Sequence, residues 1–157
     1  MKSLILAGTI ALAACATGPQ NQRATLYVSM TGIQEVPGPG DPDGNGTAEV
    51  RVNPRNGEVC WNVYARALGA VTAAHIHRGE AGSAGPVVVP LTTPDAAGHS
   101  QGCATVDPAL AREIGYRGHS FYLNVHDADH PNGAIRGQLR GGPRMRERGF
   151  RVSPSAG

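Results

Sequence analysis

EVCWNVYARA, running from Glu58 to Ala67, is the stretch on which the fold turns. Taken two by two, it sets Val59, Trp61, Val63 and Ala65 on one face and Cys60, Asn62 and Tyr64 on the other. A period of two belongs to a strand, whose successive side chains point to opposite sides of a sheet. Stretches of the same kind lie on both sides of it. Before it come Thr25 to Thr31 (TLYVSMT) and Thr47 to Val52 (TAEVRV). After it come Ala73 to His77, Pro86 to Leu91 (PVVVPL), Gly102 to Val106, His119 to His126 (HSFYLNVH) and Ala134 to Leu139. Turn-forming residues separate them. Only Pro108 to Ile114 (PALAREI) reads as a helix, with Asp107 as its N-cap and Pro108 at its first position. About eight short strands and one short helix predict an all-β fold, an antiparallel Greek-key-like β-sandwich or barrel.

Composition agrees. The 157 residues suit one domain, and 22 Gly and 12 Pro with only 4% aromatic residues fit a turn-rich β architecture. A formal charge of +2 is too small to argue for a nucleic-acid partner. Beyond the N-terminus there is no apolar run long enough to cross a membrane.

The N-terminus reads as an export signal. Lys2 supplies the positive charge, and Leu4 to Ala14 (LILAGTIALAA) is an apolar segment too short for a comfortable span. Leu12-Ala13-Ala14-Cys15 resembles the lipobox of bacterial lipoproteins, in which the Cys thiol carries diacylglycerol. The plainer alternative is an ordinary signal peptide whose small residues happen to precede a Cys. The expected layout is a signal peptide at 1–14, lipidated Cys15 with a polar tether at 15–23, a domain at 24–140 and a basic disordered tail at 141–157. That tail carries Arg144, Arg146, Arg148 and Arg151 and is expected to be solvated, with anionic lipid or cell wall as the other partner considered. The residue after Cys15 is Ala16, not Asp. By resemblance to lipoprotein sorting rules, this implies an exported protein held in the cell envelope, at the outer membrane where the cell has one, facing the periplasm or the exterior.

Three Cys is an odd number for an exported chain. With Cys15 lipidated, Cys60 and Cys103 remain as a pair, and an oxidising compartment would join them. Such a loop of about 40 residues would stabilise the fold by roughly 4 kcal/mol. Two free buried thiols are the alternative.

Among motifs that carry chemistry, His75-Ile76-His77 comes first. In a strand, two residues that are two apart share a face, so both imidazoles can serve one metal ion while Ile76 packs behind them. His126 ends a strand and is the third candidate, followed by Asp127, Asp129 and His130 and then Pro131-Asn132-Gly133 as a turn. The competing reading is structural, with the imidazoles hydrogen-bonded to loop backbone or to Asp127. His119 and His130 read as surface residues. Asp41-Pro42-Asp43-Gly44-Asn45-Gly46 opens like a calcium loop, but its twelfth position is Val52 and no helices flank it. It is expected to be a turn in which Asn45-Gly46 supplies positive φ. Ser83 and Ser120 lack a triad context, and no Gly-rich phosphate loop is present. Glu80 and Asp127 are acids whose separation the sequence does not fix.

Two long segments are familiar. Ala74 to Leu91 (AHIHRGEAGSAGPVVVPL) and Phe121 to Leu139 (FYLNVHDADHPNGAIRGQL) resemble the signature segments of the CHRD domain, first named in chordin. Cys60 in GEVCWNV and Cys103 in QGCATV also fit that pattern. The resemblance covers most of residues 24–140 and implies a β-sandwich without a settled activity. A weaker resemblance is to copper/zinc superoxide dismutases, where a His-x-His pair and a late His ligate copper. It implies His75, His77 and His126 as ligands of copper, with zinc second. The dismutase zinc loop is absent, His99 lies in a Gly-rich loop, and Arg136 stands only loosely where that family has an anion-guiding Arg. Arg136 is expected to lie in a strand and pair with a carboxylate. Three readings follow. The first is a non-catalytic, lipid-anchored binding module with an envelope or extracellular protein partner and a copper site. The second is a periplasmic copper redox or superoxide-handling protein. The third is a purely structural or adhesive envelope protein.

Overall fold

The structure, a computed structural model, describes residues 22–141. The expected signal peptide, Cys15, most of the expected tether and residues 142–157 lie outside the described residues. Among the described residues nine strands form: β1 Ala24–Thr31, β2 Asn45–Asn53, β3 Glu58–Arg66, β4 Val71–Arg78, β5 Val87–Pro90, β6 His99–Thr105, β7 Phe121–Asp127, β8 Ile135–Gln138 and the short β9 Arg140–Gly141. One helix, α1, spans Pro108–Tyr116.

All nine strands belong to one antiparallel sheet, ordered β5-β4-β7-β8-β1-β2-β3-β6, with β9 added beside β1. β1, β2 and β3 follow one another as a meander, whereas β6 returns beside β3 and β7 beside β4. Those non-sequential neighbours give the expected Greek-key character. The terminal strands β5 and β6 are bridged by the segment between them. The Leu91 amide donates to Ala74 O, and the Ser100 hydroxyl donates to Thr92 O. The sheet thus curls into a nearly closed barrel, which leaves little edge exposed.

The alternation in β3 sets the core. Val59, Trp61, Val63 and Ala65 are all buried, and their partners across the sheet, Val52, Val50 and Ala48, are buried with them. Leu26, Val28 and Met30 from β1, Ile76 from β4, and Leu123 and Val125 from β7 complete the barrel interior. The Trp61 indole N–H is not left dry: it donates to Ser100 Oγ at 3.3 Å. Cys60 and Cys103 stand directly opposite each other on β3 and β6 and form a disulfide, closing a separation of 43 residues. The expected pairing is therefore present.

The helix closes one end of the barrel. Asp107 accepts from the Ala109 amide at 2.7 Å, as an N-cap should. Ala111, Ile114 and Gly115 form the buried stripe, and Gly115 lies against Ala24 and Val52. This stripe carries the helix two residues past the expected end. The turn between β2 and β3 depends on Gly57, whose φ is +75° and whose missing Cβ would meet the Val106 carbonyl oxygen.

Two expectations need correction. Asn45 and Gly46 are not a positive-φ turn; they open β2, opposite Thr31 and Met30. The chain reverses earlier, where Asp41 Oδ1 accepts from the amides of Asp43 and Gly44, both at 2.9 Å. An Asx turn does the work assigned to Asn45-Gly46 because a carboxylate can fold its own backbone back. Gly141 is also not the start of the tail, since it pairs with Leu26 as part of β9.

Candidate metal centre

His75 and His77 lie on β4 and face away from the core, while Ile76 between them is fully buried. β7 pairs with β4 so that Asn124 stands opposite His75, Tyr122 opposite His77 and His126 opposite Ala73. The strand register therefore brings three imidazoles from distant parts of the sequence onto one flank. One ligand nitrogen from each of His75, His77 and His126 lies within 4.8 Å of the others. His75 Nδ1 and His126 Nε2 are 3.3 Å apart. Metal–nitrogen bonds of ~2.0–2.1 Å put neighbouring ligand nitrogens about 3–4 Å apart, so the cluster has the right span.

Backbone carbonyls fix the tautomers. His77 Nδ1 is 2.8 Å from Gly85 O, and His126 Nδ1 is 3.0 Å from Pro131 O. A carbonyl only accepts, so both Nδ1 atoms carry the proton and both Nε2 atoms present a lone pair. Holding the remote N–H on an oxygen is how metal-bound imidazoles are commonly oriented. His77 Nε2 is buried and has no hydrogen-bond partner among the described residues. A buried unpaired acceptor is costly, and a cation there would relieve it. Burial holds the His75 imidazole below its usual pKa, reinforced by the charges His126 and His77 would carry. Burial likewise depresses His77, with His126 and Arg136 adding repulsion, while the hydrogen bond to Gly85 O and the nearby Asn124 side chain pull the other way. Both rings are thus kept neutral, the form that binds metal.

Arg136 lies in β8 as expected, but among the described residues it is not ion-paired to a carboxylate. Its Nη2 donates to the carbonyls of Glu80 (2.9 Å) and Ser83 (2.8 Å) and to Gln138 Oε1 (3.3 Å). The loop after β4 folds over the sheet and supplies these acceptors, which is why the guanidinium is only 1% exposed. Its carbon sits 3.4 Å from the centre of the Tyr122 ring, on which His77 also stacks. Arg136 Nη1, Asn124 Oδ1 and Glu35 Oε1 are buried without partners, as His77 Nε2 is. Glu35 gave no signal in the sequence. Burial raises its carboxyl to about 7, against the opposing pull of Arg136 and the Val36 amide.

The remaining candidates separate. His119 is exposed, as expected of a surface residue. His99 stacks on Tyr64 and bonds Asn62 Oδ1 at 2.7 Å on the far side of the barrel. His130 is not a free surface residue: its ring and its amide both donate to Asp127 Oδ1, at 2.9 and 2.7 Å. Burial would raise Asp127, but those bonds and the Gly69 amide hold its carboxyl below the usual range. Asp41 joins this pair, its ligand atom lying within 4.8 Å of theirs. Asp43 and Asn45 do not, so the calcium-loop pattern does not assemble. Glu80 meets the site through its backbone carbonyl only, and no acid pair forms with Asp127 among the described residues.

Fold and site together define a small all-β module with a preformed three-imidazole cluster on its flank. A family model described as the CHRD domain matches residues 26–139, and the chain belongs to that family. Nothing matches the chain among curated proteins or among solved structures.

Proposed function

We propose that this CHRD-domain protein is an exported binding module, lipid-anchored through Cys15 in the cell envelope, that holds one copper ion with His75, His77 and His126. The observation that supports the metal reading best is the buried, unpartnered Nε2 of His77, aimed where two more imidazole nitrogens converge. Three neutral imidazoles suit copper first and zinc second. His77 and His126 would each ligate through Nε2, with Gly85 O and Pro131 O holding the opposite ring edge. His75 Nδ1 would be the third ligand. Bound copper would bring one-electron redox chemistry within reach. The reading here is binding, because the buried Arg136 is tied to loop carbonyls and is not free to collect anions.

Two measurements test the reading. Copper titration of the purified protein is expected to give one equivalent bound. The double variant His75→Ala/His77→Ala should lose it by a hundredfold or more in affinity, and unchanged stoichiometry would sink the site. Membrane fractionation of Cys15→Ala is expected to release the protein from the envelope; retention with membranes would end the lipid-anchor reading.

A further inference from the structure

The two ends of the barrel differ in charge. One end gathers the start of β1, the turn between β2 and β3, the segment from β6 through α1 to β7, and β9. Arg23, Arg55, Arg117 and Arg140 are exposed there, and Arg112 is half-buried on α1. The register holds them together: Ala24 lies opposite Val52, Val52 opposite Val59, and Arg140 opposite Tyr27. The Gln22 amide donates to the Tyr116 hydroxyl at 3.3 Å, which ties the incoming chain to the helix. Two of the four acids at this end are already engaged. Glu113 is bonded to Arg78, and Asp107 caps α1, leaving Glu58 and Glu80, the latter in the loop that leaves β4 beside Ser120. None of the five arginines Arg23, Arg55, Arg112, Arg117 and Arg140 is in a salt bridge among the described residues. The opposite end, built from residues 32–44, 67–70, 94–98 and 127–134, carries Asp41, Asp43, Asp95, Asp127 and Asp129, with Arg66 beside them.

We propose that the arginine-bearing end is a docking surface for an anionic lipid bilayer, on which the barrel stands with its aspartate-bearing loops directed away. Guanidinium groups pair with phosphate through two parallel hydrogen bonds, and none of these five is ion-paired to a carboxylate among the described residues. An eight-residue strand spans about 26 Å, whereas charges are screened over about 8 Å at physiological salt. The acidic end therefore stands outside the reach of the membrane potential when the basic end touches it. The tether reaches the domain at this same end, through Arg23 and Ala24. This arrangement leaves the three-imidazole flank free. The orientation rests on the lipid-anchor reading above, but the attraction belongs to the folded domain alone.

The test uses the chain from Ala16 to Gly157, which lacks the apolar leader and Cys15 yet keeps every strand and the whole core. It is co-sedimented with vesicles of phosphatidylcholine, with and without a minority of phosphatidylglycerol. Binding is expected only with the anionic lipid, and it should weaken as salt is added. At about fivefold per arginine near the surface, Arg55→Gln/Arg117→Gln/Arg140→Gln should lower the affinity by about a hundredfold, while Arg66→Gln leaves it unchanged. All four positions are exposed, and an unaltered melting temperature confirms that the variants fold. Equal binding to neutral vesicles overturns the proposal. So does a triple variant that binds like the parent, which would move the attraction to Arg144, Arg146, Arg148 and Arg151. Because neither copper nor an acyl chain takes part, failure here and failure of the Cys15→Ala fractionation are separate results.

Discussion

On opposite flanks of the barrel, a histidine stacks on a tyrosine from the neighbouring strand. His99 lies against Tyr64 on the β3–β6 flank, and His77 lies against Tyr122 on the β4–β7 flank, each with ring centres 4.7 Å apart. The surroundings then diverge. His99 finds Asn62 Oδ1 at 2.7 Å beside a tyrosine that is 46% exposed, so its polar edge is satisfied near water. His77 gives its proton to Gly85 O and keeps an unpaired, buried Nε2 next to His75 and His126. The same pair of rings serves as surface packing on one side and as part of a metal-ready cluster on the other. The difference comes from what covers them. On the β4–β7 flank the loop after β4 folds back, bonds Arg136 and closes over Tyr122. Among the described residues no such cover lies over Tyr64.

The comparison can be broken most forcefully through the disulfide, which belongs to the His99 flank. Removing it in Cys60→Ser/Cys103→Ser should cost about 4 kcal/mol in chemical denaturation, given the length of the loop it closes. Copper binding by the protein that remains folded should be unchanged. Loss of copper together with the disulfide would mean that the two flanks are not independent.

A somewhat smaller effect comes from Glu35, which is buried against Gly133 and feels the charge of Arg136. Glu35 has a folded-state pKa of about 7 against an ordinary value of 4.5. The folded protein therefore holds a proton that the unfolded chain releases. The stability it contributes is fully present below pH 4.5 and is lost as pH rises to about 7. At 1.36 kcal/mol per unit, this amounts to about 3 kcal/mol. Urea unfolding at mildly acidic and mildly alkaline pH should reveal the decline, and Glu35→Gln, which stays neutral, should flatten it. A variant that keeps the full decline would assign it to other groups. The smallest effect is expected for His99→Ala. It should cost about 1 kcal/mol, one stacked pair and one exposed hydrogen bond, and leave copper affinity untouched.

Much of this was legible in the residues themselves. Strict alternation from Val59 to Ala65 fixed both the strand and its buried face, because side-chain direction in a strand follows from local geometry. Asp107-Pro108 marked the helix start for the same local reason, since capping involves only neighbouring residues. His75 and His77 were readable as a pair sharing one face, and His126 as a third candidate at a strand end. The sequence could not place Asn124 or Tyr122 beside them or bury Glu35 against Gly133, nor show that Arg136 would spend its hydrogen bonds on the carbonyls of a folded-back loop. Those facts depend on register between strands separated by dozens of residues, which no local propensity encodes. By itself the sequence determined which residues alternate, where the chain turns and which cysteines and histidines were available. Only the tertiary structure decided which of them meet, because the pairing of β4 with β7 and the closure of the loop above them are set by burying one shared core.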